Sequence, residues 1–322
     1  MRYSSRIVHL SHFGVESAFL FLNISCSSTE DYDNSDFTSN VSNSIGGGEP
    51  PFIAVGNAGT ILKSADGINW IDKSVSEVLD LQNVAFGNNK FVVTGSQIDG
   101  INPIFSSSYG EIWNQTSYNF GNTTYKSIFF SGKFIITISN SVYFFYSSSL
   151  ENWIQTGSGT DQPIACMTKD EDYLYISDNN NSNYATENIL SSWSNFSTGL
   201  TTVGFTDLTS GNDILVGVKG NRIAYRQMGS WQDPTVPNVD GSLKLVAYGN
   251  NVFVAAESAS FHTTNNFSDW TKSSVSGSVN QLIYRKGIFV AVGEAGLILT
   301  SPDGYNWTSR TSGIVTNLND VY

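Results

Sequence analysis

The chain has 322 residues, of which only 14% are charged and 40% hydrophobic, and it carries a net charge of −12. An acidic body without a Lys/Arg stripe repels phosphate, which excludes nucleic acid as a partner, and charge of this sign serves solubility. Two cysteines in different segments and three histidines (His9, His12, His262) form no CxxC or Cys/His cluster. Neither a disulfide framework nor a metal or other cofactor site is predicted.

The first elements in chain order precede any fold. Residues 1–26 start with Arg2 and Arg6, pass through Ala18-Phe19-Leu20-Phe21-Leu22 and reach Ser25-Cys26. Basic start, short apolar core and small residue are the parts of a secretory signal, and the run is too short to span a membrane. His9, His12 and Glu16 are poor company for that core. Ser25-Cys26 resembles a bacterial lipoprotein processing site, which implies lipidation at Cys26, although Asn23 stands where that family has Leu. Residues 27–50 are rich in Ser, Asn, Asp and Gly and read as a flexible tether. Together these segments predict an extracytoplasmic protein, secreted or held at a bacterial surface by a lipid. Asn-x-Ser/Thr triplets at Asn114, Asn122 and Asn306 arise by chance in such a composition and carry no glycosylation argument.

From residue 51 onward the sequence repeats. The seven tryptophans, Trp70, Trp113, Trp153, Trp193, Trp231, Trp270 and Trp307, are spaced 37 to 43 residues apart. A period near 40 residues, rich in Gly and aromatics, predicts one β-propeller blade per repeat. The first copy, Phe52-Ile53-Ala54-Val55-Gly56 to Trp70, is matched by the last, Phe289-Val290-Ala291-Val292-Gly293 to Trp307. Each copy holds two apolar strands joined through Gly-x-x-Gly, whose glycines permit a tight connection. A second turn follows, Ser64-Ala65-Asp66-Gly67 or Ser301-Pro302-Asp303-Gly304, and leads to the Trp strand. Ser and Asp side chains hold such a turn by bonding nearby backbone N–H groups.

Another apolar strand precedes each copy: 81–86, 125–130, 243–248 and 279–284 are the clearest. Four strands per unit make one antiparallel blade. The middle copies lose the Asp before they lose the Trp. This predicts that Trp packs between neighbouring blades, while the Asp turn is a replaceable local device. The first copy lacks a first strand of its own, and residues 317–322 align with 81–85. The expected fold is therefore an all-β, seven-bladed propeller over 51–322, its first blade closed by the C-terminal strand.

The Ser-x-Asp-Gly-x-x-Trp turn, with the Ala-Val-Gly segment before it, resembles the Asp-box, or bacterial-neuraminidase-repeat (BNR), motif. The combination is most similar to BNR-type propellers related to the photosystem II assembly and stability factor family. The resemblance covers 52–322, strongly at Ser64, Asp66, Gly67, Trp70, Ser301, Asp303, Gly304 and Trp307. It implies structural turns on the blade periphery and says almost nothing about activity. The arginine-rich surface of the photosystem-related members is missing here. Sialidases share Asp-boxes, but their chemistry needs converging arginines, a Tyr/Glu pair and an acid, and this chain has no Phe-Arg-Ile-Pro motif.

No catalytic residue is therefore predicted. The expected function is a non-catalytic binding or scaffold propeller acting as a monomer, with protein or glycan bound at loops or at the channel mouth; a sialidase-like hydrolase is the alternative. Three features invite a closer look. Lys169-Asp170-Glu171-Asp172 and Asp178-Asn179-Asn180-Asn181 offer oxygens, but without the spacing of a calcium loop. Gly95–Asn102 is a longer connection than its counterparts. Gln82, Lys126, Asp207, Lys244 and Asp320 fall on first strands near the channel, mixing both signs.

Overall fold

In the computed structural model, the described residues are 49–322, except 76–78, 97–102, 117–119, 121–124, 140, 158–161, 171, 179–181, 188, 190–192 and 196–203. The 1–26 segment with Cys26, nearly all of the 27–50 tether, most of the 95–102 connection, Asn122, Glu171 and Asn179 to Asn181 lie outside them.

Seven four-stranded antiparallel sheets follow one another around a ring. Blade 1 consists of Phe52–Gly56, Ile61–Ser64 and Ile71–Asp72; blades 2 to 7 begin with Leu81–Gly87, Tyr125–Phe130, Ile164–Lys169, Asp207–Gly211, Leu245–Gly249 and Val279–Arg285. The innermost strand of blade 1 is Leu318–Val321, from the other end of the chain. Ile53 and Tyr322 exchange backbone hydrogen bonds of 3.1 and 2.9 Å, so the predicted closure is present. Each sheet is covered on both faces by its neighbours. Central strands such as FIAVG and VFVAA are consequently buried along their whole length and do not alternate.

Each of the seven apolar clusters draws on two adjacent blades and contains one tryptophan, which belongs to the later of the two blades. Trp307 stacks on Phe261 of blade 6 with ring centroids 3.8 Å apart. Close approach at the inner ring uses glycine: a Cβ on Gly249 would collide with the Tyr284 ring, and one on Gly211 with the Tyr248 ring.

Strand direction sorts the connections onto two faces. The turns between first and second strands and the Ser-x-Asp-Gly turns share one face, hereafter the turn face. Second-to-third connections and the links between blades share the other, the loop face. The chain joins blade 1 at the turn face. There Arg285 of blade 7 donates to the carbonyls of Pro50 and Pro51, and its guanidinium lies over the rings of Tyr322 (4.3 Å) and Phe52 (5.1 Å). Lys286 adds bonds to the carbonyls of Glu49 and Ala65. Glu49 and Pro50, placed in the tether by composition, are thus bonded to the propeller, and Pro50 is buried. Composition could not reveal this, because the grip comes from backbone carbonyls.

Candidate binding site: the inner ring and the loop face

The innermost strands carry an unanticipated device. In five blades the second residue of the strand is a β-bulge: Gln82, Lys126, Ala165, Asn280 and Asn319. A bulge re-aims a side chain and breaks the simple alternation. Three of these side chains reach the first carbonyl of the next blade's inner strand. Lys126 Nζ donates to Ile164 O (2.9 Å), Asn280 Nδ2 to Leu318 O (2.8 Å) and Asn319 Nδ2 to Leu81 O (2.7 Å).

One residue further along lies a second tier. Asp320 Oδ2 accepts the Val84 N–H of blade 2 (2.8 Å), and its Oδ1 accepts Gln281 Nε2 of blade 7 (2.8 Å). Asp207 Oδ2 accepts the Val246 N–H of blade 6 (2.7 Å). Both carboxyls are fully buried. The sequence places Asp207 and Asp320 with Gln82, Lys126 and Lys244 as channel positions. The structure differs: the two acids lie one register over, and a shift of one residue turns a side chain to the other face. They tie blades together. Burial drives the Asp207 carboxyl well above its usual range, opposed by the N–H groups of Val246 and Leu208. The only described bulge-tier lysine with a shift, Lys126, is pulled down by burial.

On the turn face, Ser64 and Asp66 build the turn together. Ser64 Oγ accepts Gly67 N–H (2.8 Å), Asp66 Oδ1 accepts the N–H groups of Ile68 and Asn69 (2.9 and 2.8 Å), and Trp70 Nε1 donates to Gly67 O (3.0 Å). Ser301, Asp303, Gly304 and Trp307 repeat this pattern. The Asn69 N–H leads the bonds that hold Asp66 well below the carboxylate range. Desolvation works against Asp303, yet the Asn306 and Tyr305 donors take it down to about 2. Blade 6 substitutes Thr264 for Ser and Asn266 for Asp, with the same N–H acceptors in place. In blade 3, Ser147 Oγ holds Leu150 N–H, and Trp153 Nε1 donates to Leu150 O, without any Asp. Trp113 Nε1 is buried with no partner among the described residues. Trp193 packs against Phe144 (6.4 Å), Trp231 stacks on Phe205 (5.4 Å), and Trp270 Nε1 donates to Phe267 O (3.3 Å).

Several other charged groups serve local structure. Asp170 Oδ1 accepts the N–H groups of Asp172 and Tyr173, and its Oδ2 accepts Tyr175 OH at 2.7 Å. Asp178 Oδ1 accepts Ser182 N–H. Glu257 accepts His262 Nε2 at 2.5 Å and the N–H of Gly241 at 2.8 Å, and Lys272 holds Asn238 O and Asp240. This cluster pins the 233–244 link onto blade 6. The four arginines of the propeller do not converge. Arg222, paired with Asp233, and Arg226 share a blade 5 strand, Arg285 is the turn-face clamp, and Arg310 ends blade 7 at the loop face. No group of three or more metal-ligating side chains occurs among the described residues. Among those residues, no helix is long and apolar enough to cross a membrane.

The loop face carries a depression of about 600 Å³ beside the closing seam. Ser276 and Gly277, the Glu294–Leu297 turn and the Ser309–Val315 link form its walls.

No protein-family model matches the sequence, and no curated protein matches it. Solved structures do match in shape. Virginiamycin B lyase from Staphylococcus aureus is similar with a TM-score of 0.58 at 12% identity, over 81% of this chain and 94% of that one. YCF48 from Cyanidioschyzon merolae gives 0.53 at 15% identity, over 76% and 94%. A chain of a nidogen/laminin complex gives 0.51 at 8% identity, over 84% and 97%. Likeness at such identities shows the fold alone: the chain is a seven-bladed β-propeller.

Proposed function

We propose that this propeller is a non-catalytic scaffold of the Asp-box (BNR) kind that takes a protein partner on its loop face. The observation that carries this reading is the division of labour between the polar groups. The Asp-box turns and the inner-ring acids Asp207 and Asp320 are bonded within or between blades, whereas Glu294 and Arg310, which line the loop-face depression, have no ion pair among the described residues. Propellers of the same fold serve both chemistry and binding, since one similar chain is a lyase and another belongs to a nidogen/laminin complex. A sialidase-like reaction would need arginines gathered on one carboxylate, and the four here are dispersed as described above. The N-terminal pattern supports export with lipidation at Cys26.

The direct test is incubation of the full chain with sialylated and neutral oligosaccharides, products being followed by mass spectrometry. No turnover is expected. Turnover abolished by a loop-face substitution would overturn the reading, and glycan binding without turnover would replace the protein partner with a sugar. Palmitate labelling of the wild type, lost in Cys26→Ala, is the expected result for the anchor; an unlabelled wild type contradicts it.

A further inference from the structure

We propose that the outer rim of the turn face, where blades 1 and 2 meet, is a docking surface for the chain's own segment 30–37, Glu-Asp-Tyr-Asp-Asn-Ser-Asp-Phe, which lies outside the described residues. This surface is separate from the loop face and from any anchor at Cys26.

Two positions of the Ser-x-Asp-Gly turn carry the case. In blades 1, 6 and 7 the third and sixth residues of that turn touch through a polar bond. Asn69 Nδ2 donates to Asp66 Oδ2 (2.9 Å), Asn266 Nδ2 to Asp269 Oδ2 (2.9 Å) and Asn306 Nδ2 to Asp303 Oδ2 (2.8 Å). Blade 3 has Ser149 and Asn152 there. Blade 2 instead presents Tyr109 and Ile112, which are 44% and 75% exposed. Its turn is otherwise kept, since Ser107 Oγ accepts Gly110 N–H at 2.9 Å, so only the outward pair has changed from polar to apolar. A third apolar side chain adjoins them. Ile71, 61% exposed, stands where blades 2, 6 and 7 carry Asn114, Thr271 and Thr308. It lies opposite Lys63 in the strand register and so shares its face. Lys63 crosses to blade 2 on that face, donating to Tyr109 O at 2.8 Å and pairing with Glu111 at 2.5 Å, where Lys73 joins at 2.6 Å. Ile71, Tyr109 and Ile112 thus surround two lysines that share one carboxylate. Contiguous exposed apolar side chains at positions that are polar elsewhere in the ring mark a contact surface.

Size, chemistry and reach select the occupant. Three apolar side chains fall far short of the roughly 20–30 residues a side that a stable dimer needs, so the surface fits a short segment held close by rather than a second copy. Segment 30–37 carries two aromatics, Tyr32 and Phe37, among four carboxylates, and no Lys or Arg occurs in 27–48. Its aromatics suit the apolar trio and its carboxylates suit the surplus lysine charge. Lys286 Nζ bonds both Glu49 O and Ala65 O, so the described chain starts beside the blade 1 turn, one blade from Tyr109. The intervening residues, 38–48, extend to at most about 40 Å. As a Ser- and Gly-rich linker they average about 17–20 Å. A linker of this length holds the segment at an effective concentration in the millimolar range, where a weak contact is filled.

The test places a photo-crosslinking amino acid at position 112 of the full chain. Position 306, the exposed equivalent in blade 7, is the control on the other side of the chain's entry. Dilute protein is irradiated and adducts are mapped by mass spectrometry. Position 112 is expected to give an adduct within one chain to residues 30–37, about tenfold more abundant than from position 306, because a docked segment exceeds random encounters of a tethered one. High salt reduces it. Tyr32→Ser with Phe37→Ser, both outside the propeller, removes the adduct while leaving the fold alone. Tyr109→Asp, which puts back the residue of blades 1 and 7, weakens it. Equal adducts from positions 112 and 306, or an adduct that survives the loss of Tyr32 and Phe37, would overturn the proposal. A covalent dimer in place of the internal adduct would give the surface to a second copy, and no adduct at all would remove the segment as its occupant.

Discussion

Blades 1 and 7 differ from blades 2 and 3 at one turn, and the difference separates essential parts from optional ones. Blades 1 and 7 keep Ser, Asp, Gly and Trp, and the Gly N–H, the two N–H groups after it and the indole N–H all find acceptors. Blade 3 has lost both Asp and Gly, yet Ser147 and Trp153 still close the turn around Leu150, whose φ is +69°. Blade 2 keeps Gly110 but leaves the indole N–H of Trp113 without a partner among the described residues. The frame therefore depends on the Ser acceptor and the Trp ring, and the Asp carboxylate is an addition. Blade 6 supports this, because Asn266 fills the Asp role with no charge at all.

The comparison breaks most readily at the ring closure. Asp320 holds the backbone of blade 2 and the Gln281 amide of blade 7 at once. Asp320→Ala leaves buried donors unpaired at about 1–3 kcal/mol each, so its melting temperature should drop more than that of any single turn variant. An Asp320→Ala protein melting with the wild type would show that the tiers do not hold the ring.

Next come the tryptophans. Trp307→Ala removes a ring packed between two blades and should cost about 3–5 kcal/mol. Phenylalanine is the sharper probe. Trp307→Phe loses the bond to Gly304 O, worth about 1 kcal/mol, whereas Trp113→Phe loses no bond and removes a buried unpaired N–H. Chemical denaturation should find Trp307→Phe less stable and Trp113→Phe at least as stable as the parent. The reverse order would contradict the account of the turns.

Two carboxyls then predict opposite responses to pH. Asp207 is raised by burial, so its contribution is complete below the unfolded value near 4 and declines as pH climbs towards the raised one. Asp207→Asn, which keeps an acceptor for Val246 N–H, should match the wild type near pH 4 and exceed it at pH 7. Asp303 is lowered to about 2. Its contribution is complete above about pH 4 and fades as pH falls from about 4 towards 2. Asp303→Asn should flatten that part of the acid limb slightly, the smallest effect of the set. Melting curves from pH 2 to 8 check both.

The architecture was legible because its signal repeats. Seven tryptophans at near-constant spacing, the matched segments 52–70 and 289–307, and the stray strand at 317–322 each follow from residue identity alone. The inner ring was not legible for two reasons. Bulges at Gln82, Lys126, Ala165, Asn280 and Asn319 shift the alternation without changing composition, so Asp320, directly after one of them, reads as a channel group. The partners of those side chains are backbone carbonyls and amides, which leave no trace in a sequence. Arg285 was hidden in the same way, since its acceptors are the carbonyls of Pro50 and Pro51. The loop-face depression escapes the sequence because its walls come from separate segments, 276–277, 294–297 and 309–315, that only the fold brings together.

The most direct test of a loop-face scaffold compares the two most exposed large apolar side chains among the described residues, Val315 on the loop face and Met228 on the turn face, which are 86% and 98% exposed. A photo-crosslinking amino acid is placed at one or the other in the full chain, and adducts are captured from the native host. The account predicts a discrete adduct from position 315 and none from position 228. An adduct from position 228 alone, or none from either position, would contradict it.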